Sequence, residues 1–219
     1  MNKTDTLATN DTLAKADTLA KADTLAKADT LAKADTLATN DKMNTLNYIG
    51  SKHTLCSTLI GVIKDVVPDL PSKTFMDLFA GTGSVGFQMQ PLVASCSAND
   101  LEYYSFVINS ALLCCPYSEK LQQIIDECNA LEGIEGLVYN NFSPHQTDNN
   151  FDLVCERMFF SNENAKRCDA MRQYIELQKV SERLTMPEYY FMVASLLVVM
   201  DKVATVSYTH LTLPTKRIV

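Results

Sequence analysis

Asp77-Leu78-Phe79-Ala80-Gly81-Thr82-Gly83-Ser84-Val85-Gly86 decides the fold. The apolar lead-in Thr74-Phe75-Met76 predicts a strand over about Thr74 to Phe79. The glycines predict a tight turn, and Phe87-Gln88-Met89 continues into a helix. A glycine has no Cβ, so its backbone turns freely and comes close to a ligand. The helix start offers unpaired N–H groups and partial positive charge. Strand, glycine turn and helix together form a cradle for an anionic or adenosine-bearing ligand.

Two ligand classes fit the pattern Gly81-x-Gly83-x-x-Gly86. One is a dinucleotide, whose fingerprint has this spacing. That reading makes the chain a NAD-binding Rossmann enzyme. However, Asp77 lies four residues before the first glycine, where a dinucleotide strand is ordinarily apolar. A carboxylate there repels pyrophosphate and accepts a hydrogen bond from an ammonium group. S-adenosylmethionine carries an ammonium and no phosphate. The second apolar run, Leu92 to Ala98, ends in Asn99-Asp100. An acid at a second strand tip can accept from ribose hydroxyls, although Asp100 could instead cap the following helix. Lys52, at the end of Asn47-Tyr48-Ile49-Gly50-Ser51-Lys52, suits a carboxylate if it folds nearby.

Upstream of the strand, Leu55, Leu59, Ile60, Ile63, Val66 and Val67 predict an amphipathic helix ended by Pro68 and Pro71. Downstream, helices are expected over Tyr103 to Leu113 and Glu119 to Leu131, the second with Leu121, Ile124, Ile125 and Cys128 inward. Leu137-Val138-Tyr139 reads as a third strand, and Pro187 to Ala204 as a long helix. Ser143 to Asn150 reads as a polar loop with His145 at the surface. From Phe151 the character changes. Arg157, Lys166, Arg167, Arg172, Lys179 and Arg183 lie among Phe159, Phe160 and Tyr174, in a chain of net charge -7. Basic and aromatic residues on a helical insert suit phosphate contact and base wedging, as they would also suit a solvated helical face.

The ends differ from the middle. Residues 5–40 are six tandem hexapeptides, DTLATN, four DTLAKA and DTLATN. On a helix their leucines step about 240° each and form no stripe. This predicts a low-complexity, disordered tail over 1–42. Val206 to Val219, VSYTHLTLPTKRIV, resembles the translation of a transposon-type sequencing adaptor, so the natural sequence is expected to stop near Thr205.

At 219 residues and 47% hydrophobic, the chain can bury a real core. Its seven cysteines are odd in number and form no C-x-x-C pair, which suits reduced thiols and neither a disulfide framework nor a metal site. No signal peptide opens the chain, and the apolar run Tyr189 to Met200 is too short to span a bilayer. A cytoplasmic protein without membrane or metal partners is expected.

Three stretches then carry a family resemblance: Tyr48-Ile49-Gly50-Ser51-Lys52, Asp77-Leu78-Phe79-Ala80-Gly81-Thr82-Gly83 and Ala98-Asn99-Asp100. Their order resembles the Dam-like, alpha-group adenine-N6 DNA methyltransferases. Arg157-Met158-Phe159-Phe160-Ser161-Asn162-Glu163-Asn164, Asp169-Ala170-Met171-Arg172, Glu188-Tyr189-Tyr190-Phe191, Ala194-Ser195-Leu196-Leu197 and Asp201-Lys202-Val203-Ala204 resemble one branch of that family. The resemblance implies an α/β fold: a partial Rossmann-like S-adenosylmethionine-dependent methyltransferase sheet with a helical target-recognition insert. It implies a donor-binding half over 43–150 and the insert over 151–205. Tyr48, Lys52, Asp77, Phe79, Gly81, Gly83 and Asp100 would bind S-adenosyl-L-methionine. Arg157, Lys166, Arg167 and Arg172 would meet double-stranded DNA, as in a restriction-modification methylase. Another methyltransferase, acting on RNA, protein or a small molecule, is the runner-up.

The family's catalytic Asp-Pro-Pro-Tyr holds and stacks the flipped base. This sequence has no adjacent prolines, and Cys115-Pro116-Tyr117 lacks both the carboxylate and the position. The resemblance therefore implies a chain cut before its catalytic motif and inactive by itself.

Overall fold

The computed structural model describes residues 55–144 and 159–204, with residue 46 and the backbone of residues 38–39 and 42–43. Tyr48, Lys52, His145, Arg157, most of the hexapeptide tail and residues 206–219 lie outside them. The elements in order are β1 (Ala38–Thr39), β2 (Lys42–Met43), α1 (Cys56–Val66), β3 (Thr74–Asp77), α2 (Ser84–Met89) and β4 (Ser95–Ala98). Then come α3 (Tyr103–Cys114), α4 (Glu119–Asn129), α5 (Leu137–Phe142), α6 (Asn162–Val180) and α7 (Met186–Val203). The chain is thus largely helical, with β1 and β2 antiparallel and β3 and β4 parallel. It divides into two compact units. One holds Leu31–Glu132 and Ala170–Lys202, and the other includes Gly133–Asp169.

In the first unit, β3 and β4 run in register from Thr74↔Ser95 to Asp77↔Ala98. The ladder continues past the strands: Asn99 N–H donates to Asp77 O at 2.8 Å and Ala80 N–H to Asn99 O at 3.0 Å. Alternation on β3 sends Phe75 inward. There it joins a core of Cys56, Val85 and Met89 with Ile60, Ile63, Leu70, Leu92 and Val93. Met76 points the other way and stays exposed. α1 is less one-sided than its sequence suggests. Cys56, Ile60 and Ile63 pack inward, whereas Leu55, Leu59 and Val66 are exposed. Two strands offer a narrow floor that covers only half of a wide apolar face.

α4 forms as expected. Ser118 caps it, accepting from Leu121 N–H at 3.3 Å, and Leu121, Ile124, Ile125 and Cys128 are buried. α7 begins with one half of a capping box. Glu188 Oε2 accepts from both Thr185 N–H and Thr185 Oγ1–H at 2.8 Å. Its apolar face buries Phe191, Ala194 and Val198, with Phe191 6.1 Å from the Tyr117 ring. Arg183 grips Glu127 with both guanidinium nitrogens, at 2.7 and 2.8 Å, and holds that carboxyl below its ordinary value.

On the same unit, Glu176 accepts from Lys179, Tyr189 and Arg172, and these bonds together pull its carboxyl to about 2 from an ordinary 4.5. A depressed carboxyl stabilises the fold above its unfolded value, and that contribution is lost as pH falls from about 4.5 through about 2. Solvent screens this half-exposed cluster, so the loss should stay below about 1 kcal/mol. Denaturation curves of wild type and Glu176→Gln should converge at the acid end of that window. Curves that stay parallel would refute the assignment.

The second unit corrects one expectation: Leu137-Val138-Tyr139 is not a strand but the start of the helix α5. The cause lies 30 or more residues away. The buried Asp169 carboxylate accepts from Gly136 N–H at 3.1 Å, Val138 N–H at 2.9 Å and Tyr139 N–H at 2.8 Å. Those are the orphan donors of a helix start. Gly133 and Gly136 permit the approach. A Cβ on Gly133 would lie 2.7 Å from Lys166 Cβ, and one on Gly136 would lie 2.7 Å from Asp169 Cγ.

Candidate functional site

The sheet brings Asp77, Gly81, Gly83 and Asp100 together at one end of the parallel pair. Asp77 is the last residue of β3, and its Oδ1 accepts from Phe79 N–H at 3.2 Å. Phe79 itself is 79% exposed. Asp100 follows β4 and serves two neighbours. Oδ2 accepts from Gly81 N–H at 2.7 Å, and Oδ1 accepts from Glu102 N–H at 3.2 Å. Asp100 does not cap α3 itself, whose N-cap is Glu102 with no side-chain cap bond. One carboxylate ties the glycine turn to the start of α3.

The two turn glycines are needed for different reasons. Both have positive φ, 52° at Gly81 and 76° at Gly83. A Cβ on Gly81 would meet nothing within 4 Å, so the backbone faces open space there. A Cβ on Gly83 would fall 2.8 Å from Leu112 Cδ1 and 2.9 Å from Asn109 Oδ1. Gly83 thus lets α3 pack under the turn, while Gly81 leaves a bare backbone surface toward solvent. Gly83 is also the N-cap of α2, with no side chain capping the helix start.

Sequence reasoning missed two residues here. Ser105 and Asn109, one helical turn apart on α3, both reach the Gly81 carbonyl. Ser105 Oγ–H donates at 2.6 Å and Asn109 Nδ2–H at 3.2 Å. Both are buried. The available signal was an i, i+4 polar pair inside a mostly apolar helix.

Two cysteines near this region have raised thiol pKa values. Burial, then the Asp77 charge, raises Cys96. Burial, then Glu188, pushes Cys115 to about 11. Among the described residues no group of His, Cys, Asp or Glu could hold a metal ion, and no helix is long and apolar enough to cross a membrane.

Of the four basic residues assigned to DNA, three lie among the described residues. Arg157 lies outside the described residues. In the second unit, Lys166 pairs with Glu135 at 2.7 Å and lies over the Tyr139 ring, and Arg167 is its half-buried neighbour. In the first unit, Arg172 pairs with Glu176 at 2.9 Å and reaches Tyr189 Oη at 3.2 Å.

A parallel strand pair with an acid at or just beyond each strand's end, and a glycine turn leading from the first into a helix, is consistent with a methyltransferase fold. The sequence model of the D12 class N6 adenine-specific DNA methyltransferases matches residues 48–217, and the chain belongs to that family. It is 38% identical over 167 residues to the type II methyltransferase M.NlaIII of Neisseria lactamica, covering 75% of this chain and 48% of that protein. It is 37% identical over 172 residues to the type II methyltransferase M.CviAII of Paramecium bursaria Chlorella virus 1, covering 77% and 49%. It is 34% identical over 178 residues to the modification methylase LlaI of Lactococcus lactis subsp. lactis, covering 75% and 26%. The chain thus spans about half the length of the first two relatives. No solved structure matches it significantly.

Proposed function

We propose that this chain is the methyl-donor-binding part of a DNA adenine-N6 methyltransferase that modifies double-stranded DNA. The observation that carries this reading is the bare Gly81 backbone, flanked by Asp77 and Asp100 at adjacent strand tips. The residues fit S-adenosyl-L-methionine. Two carboxylates suit its ammonium and its ribose hydroxyls, and they disfavour the pyrophosphate of a dinucleotide. When bound, the donor supplies a methyl group activated on a sulfonium. Asp77 would hold the ammonium. Asp100 would accept from the ribose hydroxyls while fixing the turn through Gly81 N–H. Gly81 and Gly83 keep the backbone close, Phe79 lends an apolar surface, and Tyr48 and Lys52 would close on the carboxylate end.

The donor half is proposed to cover 43–150, with a partial Rossmann-like sheet, and the helical recognition insert 151–205. Arg157, Lys166, Arg167 and Arg172 would meet phosphates there. Lys166 and Arg172 would exchange or share their present carboxylate partners, and their phosphate contacts would release counterions and make duplex affinity salt-dependent. The names of the relatives, two type II methyltransferases and a modification methylase, support DNA modification as the setting, and a cytoplasmic location goes with that reading.

Calorimetry and a methyl-transfer assay test this together. The chain should bind S-adenosylmethionine at micromolar concentration and should not bind NAD. Asp100→Asn should weaken the donor by about 10-fold, the equivalent of one charge-assisted hydrogen bond. Since no adjacent prolines occur in the sequence, methyl transfer to adenine-containing duplex should be absent. NAD binding in place of the donor would overturn the cofactor assignment, and turnover would overturn the expected inactivity.

A further inference from the structure

We infer that Ser105 and Asn109 are positioning residues for the methyl donor, acting through the Gly81–Thr82 peptide. This rests on the donor-site reading above. A peptide unit is planar and trans, so its C=O and N–H point in opposite directions. Ser105 Oγ–H and Asn109 Nδ2–H both draw the Gly81 carbonyl toward α3, at 2.6 and 3.2 Å. The Thr82 N–H of the same peptide is thereby turned away from α3. On the other side of Gly81, Asp100 Oδ2 holds the N–H at 2.7 Å. The Gly81–Thr82 carbonyl is therefore held by side chains, while the Ala80–Gly81 peptide is held by Asp100 and by Gly83 N–H, which donates to Ala80 O at 2.9 Å. A residue of φ 52° with open space at its Cβ position would otherwise turn freely.

The pair is cross-braced. Asn109 Nδ2–H also donates to Ser105 O at 2.9 Å and approaches Ser105 Oγ at 3.2 Å. All of these bonds leave from the amide nitrogen. Among the described residues, Asn109 Oδ1 is buried without a hydrogen-bond partner, facing the place where a Gly83 Cβ would stand. An unpaired buried acceptor is unfavourable for stability. An apolar residue here would remove that unpaired atom together with the grip on Gly81. The orientation of Asn109 thus favours control of the turn at the expense of a satisfied core. A Ser-Asn pair on α3 sets which way the donor-facing N–H points.

The experiment compares wild type with Ser105→Ala, Ser105→Thr and Asn109→Asp by donor calorimetry, thermal melting and amide NMR. Ser105→Ala should weaken S-adenosylmethionine binding about 5-fold, one neutral hydrogen bond. Asn109→Asp aims a carboxylate oxygen at the Gly81 carbonyl and should weaken binding by at least about 30-fold. Ser105→Thr keeps the hydroxyl and should bind within about 2-fold of wild type. The Gly81 and Thr82 amide resonances should shift in Ser105→Ala and Asn109→Asp, and return in Ser105→Thr. Unchanged amide shifts, or affinity losses that only track falling melting temperature, would overturn the positioning role. If wild type itself binds no donor, the donor-site reading fails, and the amide shifts still decide whether the pair orients the peptide.

Discussion

Gly83→Ala is expected to lower stability by about 3 kcal/mol, while the neighbouring Gly81→Ala lowers it by only about 1 kcal/mol. Each residue sits at positive φ, so each substitution meets the left-handed penalty of roughly 1–2 kcal/mol. Only at Gly83 does a clash add to it. The new methyl would press on Leu112 Cδ1 and Asn109 Oδ1 at less than 3 Å, and both residues are buried. Overpacking of that kind costs about 1–3 kcal/mol. Donor binding should show the reverse order. Gly81→Ala fills the open side of the turn with a methyl group and should abolish binding in a chain that still melts cooperatively. Denaturant titration and calorimetry on the two variants check both statements. Equal destabilisation of the two would remove the distinction between a packing glycine and a ligand-facing glycine.

Asp169→Ala should cost about 4 kcal/mol, because three backbone donors lose a charged acceptor at once. The carboxylate is 8% exposed, and its bonds to Gly136, Val138 and Tyr139 run from 2.8 to 3.1 Å. Water has little access to replace it. Asp169→Asn keeps one acceptor oxygen and places an amide donor against the remaining N–H groups, so it should lose about half as much. Hydrogen exchange at Val138 and Tyr139 should rise by orders of magnitude in Asp169→Ala, ahead of the rest of the unit. Protection that persists there would show that α5 stands without its cap.

What the sequence made visible was mostly local. The run from Thr74 to Gly86 yields strand, turn and helix because apolar residues, an acid and glycines act on their immediate neighbours. Leu121, Ile124, Ile125 and Cys128 were readable as one face of α4 for the same reason. α1 was readable as a helix but not in its orientation. Leu55, Leu59 and Val66 are as apolar as Ile60 and Ile63, and only the narrow two-stranded floor divides them. Leu137-Val138-Tyr139 misled because β-favouring side chains weigh less than a distant carboxylate on the helix start. Ser105 and Asn109 carry no motif, and their role follows from a carbonyl 24 and 28 residues earlier.

The Asp169 cap also sets an order of events during synthesis. α5 is six residues long, too short to persist as an isolated helix. The carboxylate that ends its frustration is encoded 30 to 33 residues after the N–H groups it accepts from. At roughly 5–20 residues per second, the ribosome leaves those donors without their acceptor for about 1.5–7 seconds. A chain that ends before Asp169 thus carries the α5 sequence without its lock.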